Sequence, residues 1–142
     1  MFIKQISVVL KNVPGTLADM SEILGKEGVN IRAISVADTS DVSTVRFVVD
    51  EPTKALNILK SHEFTVYETD VLAVETPDHP GGLNAVVRPL KDAGINVHYL
   101  YPFLGRASEQ AIVILGVDKI EEAEKVLKQN WVHIIGKELY NL

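Results

Sequence analysis

The chain contains no cysteine. That absence removes disulfides, thiolate zinc sites, iron–sulfur clusters and thiol nucleophiles together. There is no basic run either, and the net charge is −5. The charge divides evenly: residues 1–70 hold 7 basic and 10 acidic groups, and residues 71–142 hold 7 and 9. Nucleic-acid binding rests largely on phosphate neutralisation, so no nucleic acid is expected as a partner. Aromatic residues are scarce, at 6%. Long apolar runs are missing too; the stretches present, such as Ile112 to Leu115, are too short to cross a bilayer. The N-terminus has no basic lead and no small-residue cleavage site, and it alternates like a strand, which argues against a signal peptide. A cytoplasmic protein without membrane contact is expected.

What is present suits a globular fold. Hydrophobic residues make up 46% and charged residues 23% of the 142, near ordinary averages. The main organisational signal is a duplication. Pro14, Gly15 and Leu17 recur 66 positions later as Pro80, Gly81 and Leu83. At the same offset Gly28-Val-Asn-Ile answers Gly94-Ile-Asn-Val. Val45, Phe47 and Val49 align with Ala111, Val113 and Leu115, and after a two-residue indel Ala55 and Leu59 align with Ala123 and Leu127. Two copies of a period this long read as a duplicated domain and not as a solenoid.

Each copy gives the element order βαββαβ. In the first, Ile3 to Leu10 alternates as a strand, and Leu17, Met20, Ile23 and Leu24 follow at helical spacing up to Gly28. Val29 to Ala37 and Thr44 to Val49 are strands around a turn at Ser40 to Ser43. Pro52 opens a second helix, where its missing N–H does no harm, and Phe64 to Glu68 is the fourth strand. The second copy repeats this with strands from Val71, Ile95, Gln110 and Val132 and helices around Leu83 to Leu90 and Asp118 to Gln129. Pro89 inside a helix predicts a kink or a late start. Asp118 and Glu121 resemble a capping box. The expected fold class is α+β: two ferredoxin-like βαββαβ domains, residues 1–69 and 70–142, each an antiparallel four-stranded sheet with helices on one face. With no linker at residue 69, the two are expected to be rigidly coupled.

The informative residues lie at the first strand–helix junction of each copy. In the first copy this is Asn12-Val13-Pro14-Gly15-Thr16-Leu17. Pro14 stiffens the turn, Gly15 permits close backbone approach, and the following helix offers unpaired N–H groups with the positive end of its dipole. That combination suits a carboxylate. Asn12 can meet an ammonium or a carboxylate. In the second copy the junction is Asp78-His79-Pro80-Gly81-Gly82-Leu83; a carboxylate at position 78 attracts an ammonium, and Gly81-Gly82 predicts a more open loop. The same residues also serve an ordinary tight turn without any ligand.

A short strand, then N/D-x-P-G-x-L, a helix, and G-V/I-N-I/V opening the second strand resembles the ACT domain, over almost the whole chain and twice. The resemblance implies a non-catalytic, allosteric regulatory module that binds a free amino acid at the strand–helix loop and needs no cofactor or metal. It implicates Asn12 to Leu17 with Asn30 and Ile31 nearby, and Asp78 to Leu83 with Asn96 and Val97. In the dehydrogenase-type version a His two residues before the Asn helps hold serine; Leu10 stands there in this chain, so serine does not carry over. The apolar surroundings and Asp78 point to an apolar or aromatic amino acid. Asn30 and Asn96 also fit a purely backbone-capping role.

Tyr99, Tyr101 and Phe103 alternate on one strand, opposite His98, Leu100 and Pro102, and are expected in the sheet–helix core, walling a pocket for an apolar side chain, or forming an interface. Trp131 is expected to pack. The four histidines accompany no triad or zinc-protease spacing, and no phosphate-binding loop or dinucleotide fingerprint appears. RNA-recognition modules share βαββαβ but need stacking aromatics on the central strands and a basic surface; the third strand has a single Phe47 in the first copy and none in the second, and the chain is acidic. The remaining alternative is a ligand-free assembly module acting on a partner protein. In either case a homodimer is expected, burying sheet surface left bare by helices on one face only, and a regulated enzyme is a candidate partner.

Overall fold

The computed structural model describes residues 1–105 and 110–142. Its contacts divide into two units, Lys4–Thr69 and Asp70–Leu142, with Met1–Ile3 belonging to the latter. No helix among the described residues is long and apolar enough to cross a membrane.

The first unit holds β1 (Ile3–Lys11), α1 (Thr16–Lys26), β2 (Ile31–Asp38), β3 (Val42–Val49), α2 (Pro52–Ser61) and the opening residues of β4 (Thr65–Thr76). The strands lie in the order β2-β3-β1-β4, with β3 antiparallel to both β1 and β2. Alternation turns Ile6, Val8 and Leu10 toward the helices, where they join Met20, Leu24, Phe47 and Leu59 in one core. Gly28 ends α1 by taking a φ of +75°, a conformation that costs glycine little.

The second unit holds the rest of β4, then α3 (Gly82–Asp92), β5 (Val97–Pro102), β6 (Ala111–Val117), α4 (Ile120–Gln129), β7 (Ile134–Ile135) and a closing 3-10 turn at Lys137–Asn141. Its order is β5-β6-β4, with β7 on the other side of β4. Leu72, Val74, Val86, Leu90, Leu115 and Leu127 form its core, and Phe2 packs against them. Both units are therefore α+β with the ferredoxin-like order.

Several local expectations change. The strands expected at Phe64 to Glu68 and Val71 to Thr76 are one strand of 12 residues, because nothing between them, neither Gly nor Pro, breaks an extended run. Of the two outcomes expected for Pro89, a late start is excluded: α3 runs from Gly82 with Pro89 inside it. The Asp118–Glu121 box does not form. Lys119 is the N-cap residue of α4, without a side-chain cap bond, and Asp118 is engaged elsewhere.

The repeat alignment also shifts. Val8 pairs with Val45 and Val74 with Val113, so Val45, Phe47 and Val49 correspond to Val113, Leu115 and Val117. The two extra residues of the second copy thus lie in the β5–β6 connection and not after β6.

Burial on the sheet face away from the helices is uneven, with Tyr67 on β4 59% exposed. Gln5, Ala33 and Val48 in the first unit and Val71, Ala73 and Ile114 in the second are all fully buried. Tyr101 and Phe103 lie on this side too and are buried. Tyr99 stacks on Tyr101 with ring centroids 6.4 Å apart and lies over Gly116, where an added Cβ would fall 2.2 Å from the ring. The aromatic stripe therefore belongs neither to the sheet–helix core nor to a pocket by the loop. Trp131 is 94% exposed with a φ of +62°, and it does not pack as expected. It follows α4 in the position where a helix ends in the left-handed region, and that backbone turn directs the indole outward.

Candidate functional site

The two strand–helix loops have the same frame. Gly15 and Gly81 are the N-cap residues of α1 and α3, with φ of +93° and +83°. Residues other than glycine rarely adopt that region. In α1 the first N–H to join the i→i−4 ladder is that of Asp19, onto Gly15 O; in α3 it is that of Ala85, onto Gly81 O, while Gly82 N–H closes the turn onto His79 O. The N–H groups of Leu17 and Ala18, and of Leu83 and Asn84, precede the helical ladder and can receive an anion. Val13, Leu17 and Leu83 are exposed apolar side chains on these loops.

The loops then differ. Asn12 is tied to the β2–β3 turn: its Nδ2 donates to Thr39 O at 3.1 Å, its backbone N–H donates to Asp41 O, and Ser43 Oγ lies 3.4 Å from its Oδ1. Thr16 Oγ1 donates to Lys11 O at 2.9 Å. Position 82 corresponds to Thr16 but is Gly82, and an added Cβ there would lie 1.9 Å from Pro77 O. The double glycine therefore makes a tighter loop, not a more open one: the Pro77 carbonyl occupies the space a side chain would need. His79 Nδ1 lies 2.9 Å from Pro80 O. Asp78 is exposed and has no hydrogen-bond or ion-pair partner among the described residues.

Beside the second loop lies an open groove of about 600 Å³, lined by residues from β4, the loop, α3, β5 and β6. Its polar lining side chains are Thr76, Asp78 and His79; the others include Leu83, Leu100, Pro102 and Val113. The volume is in the range of small-molecule sites, about 300–1,000 Å³. Thr76 was not singled out from the sequence. It shares the helix-side face of β4 with Leu72 and Val74, is 6% exposed, and its hydroxyl has no hydrogen-bond partner among the described residues.

Asn30 and Ile31 are not brought to the first loop within their own copy. Ile31 pairs with Val49, whereas Lys11 pairs with Val42 at the far end of β3. That separation is about 23 Å at roughly 3.3 Å per residue. Asn96 and Val97 stand in the same relation to Asp78, since Val97 pairs with Val117 and Thr76 with Ala111. They line a different groove, of about 530 Å³, with Arg88 and Lys91.

The backbone of each Asn exchanges two bonds with an Asp. Asn30 N–H donates to Asp50 Oδ1 at 2.9 Å and Asp50 N–H returns to Asn30 O; Asn96 and Asp118 do the same at 3.0 and 3.2 Å. These aspartates fasten the start of the second strand of each copy to the end of the third. Their signal was in the repeat: each follows directly on the last valine of its strand.

The frame, the duplication and the order of elements agree with the matches to known proteins. A family model described as an ACT domain pair matches residues 1–142. The chain belongs to the ACT domain pair family, and ACT domains are regulatory modules. Among solved structures, protein BT0572 from Bacteroides thetaiotaomicron is 32% identical with a TM-score of 0.92, covering 100% of this chain and 98% of that one. The ligand-free regulatory subunit of aspartate kinase from Thermus thermophilus is 17% identical with a TM-score of 0.63, over 89% of this chain and 91% of that one. The corresponding subunit from Thermus flavus gives 16% and 0.60, over 90% and 92%; at these identities the likeness is one of fold. No curated protein matches the chain.

Proposed function

We propose that the chain is a non-catalytic, cytoplasmic regulatory protein that binds a free amino acid at its strand–helix loops and passes the binding on to a partner enzyme. The observation that supports this most is the second loop. There an unpartnered carboxylate at Asp78, the start of α3 at Leu83 with its open N–H, and a mainly apolar groove adjoin one another. An α-amino acid presents an ammonium, a carboxylate and a side chain, and each meets its complement. The aspartate kinase subunits named above are regulatory in their own systems, which supports an enzyme as the partner. A homodimer belongs to the same proposal, supported by β2 and β5, which end their sheets without a further strand.

The test is a thermal-shift screen of the full chain against the twenty amino acids. A ligand that binds only the folded state adds about 2.7 kcal/mol at a hundred times its Kd, so a binder must raise the midpoint. A rise with one or a few related amino acids is expected. A flat screen would sink amino-acid binding and favour the assembly module, for which the exposed Trp131 speaks.

A further inference from the structure

The two copies are alike in frame and unlike in their polar groups. Where β4 carries Thr76, β1 carries Leu10, which is buried in the first core. Where the second loop carries a free Asp78, the first carries Asn12, whose amide is held by Thr39. Ser43 corresponds to Ala111 by register, each pairing with the equivalent residue of the first strand; Ser43 leans on Asn12, while Ala111 is exposed and lines the groove.

Thr76 is the feature that a folding argument leaves unexplained. A buried hydroxyl without a partner costs stability, and replacing it with a methyl group would remove that cost. It persists beside a groove whose lining also includes Leu83, Leu100, Pro102 and Val113. We infer that each chain has a single ligand site, in the second copy, where Thr76 hydrogen-bonds the polar head of an aliphatic or aromatic α-amino acid whose side chain lies against Leu83, Leu100, Pro102 and Val113. The inference rests on the proposed amino-acid binding and sharpens it: Asp78 takes the ammonium, the N–H groups of Leu83 and Asn84 take the carboxylate, and Thr76 completes the set from below. A charged side chain would leave an unpaired charge against Leu100 and Pro102, which those residues cannot solvate.

Isothermal titration of the full chain with L-leucine and L-phenylalanine, with L-aspartate and L-lysine as contrasts, reads both number and class. One equivalent per chain is expected, with leucine or phenylalanine preferred. Thr76→Val should weaken binding by about tenfold while the ligand-free melting midpoint stays level or rises, and Thr76→Ser should restore affinity. Asn12→Ala should leave affinity within twofold. Two equivalents per chain, loss of binding in Asn12→Ala, or unchanged affinity in Thr76→Val would overturn the inference. So would binding of aspartate or lysine alone, although amino-acid sensing would then stand. Absence of binding by any amino acid would overturn both.

Discussion

Gly82→Ala is the sharpest perturbation of the second loop. An alanine Cβ would lie 1.9 Å from the Pro77 carbonyl oxygen and 2.8 Å from its carbon. Ordinary C···O contacts begin at about 3.3 Å, so something must move by more than an ångström. Both groups are backbone, and Pro77 is held from within by its own ring, so no side-chain rotation can relieve the clash. Forced insertion of one carbon typically costs about 1–3 kcal/mol. Alanine gains little in return at a first helical position, where few backbone bonds depend on it. A loss near 2 kcal/mol would lower the midpoint by roughly 4–8 °C for a chain of this size. Urea unfolding followed by far-ultraviolet circular dichroism measures it. The corresponding change in the first copy, Thr16→Gly, meets no clash; it removes the hydroxyl bonds to Lys11 O and Val13 O and loosens the backbone, at about 1–2 kcal/mol. If Gly82→Ala unfolds within about 0.5 kcal/mol of the parent, the range of an ordinary surface change, the close approach of Pro77 is not a constraint and the account of this loop is wrong.

Three further outcomes follow from the same geometry. Trp131 is the one tryptophan and is 94% exposed, so native fluorescence should peak where fully hydrated indole does and shift little on unfolding; a blue-shifted native spectrum would contradict its placement. Asp118→Asn removes a charge-assisted bond to Asn96 N–H and should destabilise by about 1–2 kcal/mol in chemical denaturation, and Asp50→Asn should match it; no loss at either position would refute the fastening role. Glu124 accepts a bond from the N-terminal ammonium at 2.6 Å, which, with the nearby Lys128, holds its pKa below the ordinary 4.5. A carboxyl lowered in the folded state stabilises above its unfolded pKa and loses that contribution as pH falls through the folded value. Glu124→Gln should therefore lower the midpoint at pH 7 and converge with the parent in strong acid, and a difference independent of pH would remove the ion pair from the explanation.

The fold was legible because its signals were periodic and came twice. Alternation at Ile6, Val8 and Leu10, helical spacing at Met20 and Leu24, and Pro52 at a helix start all appear in the elements they imply. Errors arose where a local signal lacked its tertiary context. Two strands were expected on either side of Thr69 and Asp70, yet one extended run passes through both. A double glycine reads as looseness, yet Gly82 is small because Pro77 O is near. Trp131 reads as core by its size, and only its left-handed backbone reveals that it points outward. Of the site, the loop residues were legible from their motif, whereas Thr76 was not: an unpartnered hydroxyl is a property of its surroundings, invisible in one letter of sequence. Asn30 and Asn96 were placed near the loops by the resemblance, and strand direction alone carries them to the other end of the sheet.

Amide chemical-shift mapping of the full chain titrated with L-leucine tests the central claim most directly. Saturable shifts are expected at Thr76, Asp78, Gly81 to Asn84, Leu100 and Val113, with the loop from Asn12 to Leu17 unmoved. Equal shifts in both loops, or shifts confined to residues far from Thr76, would contradict it.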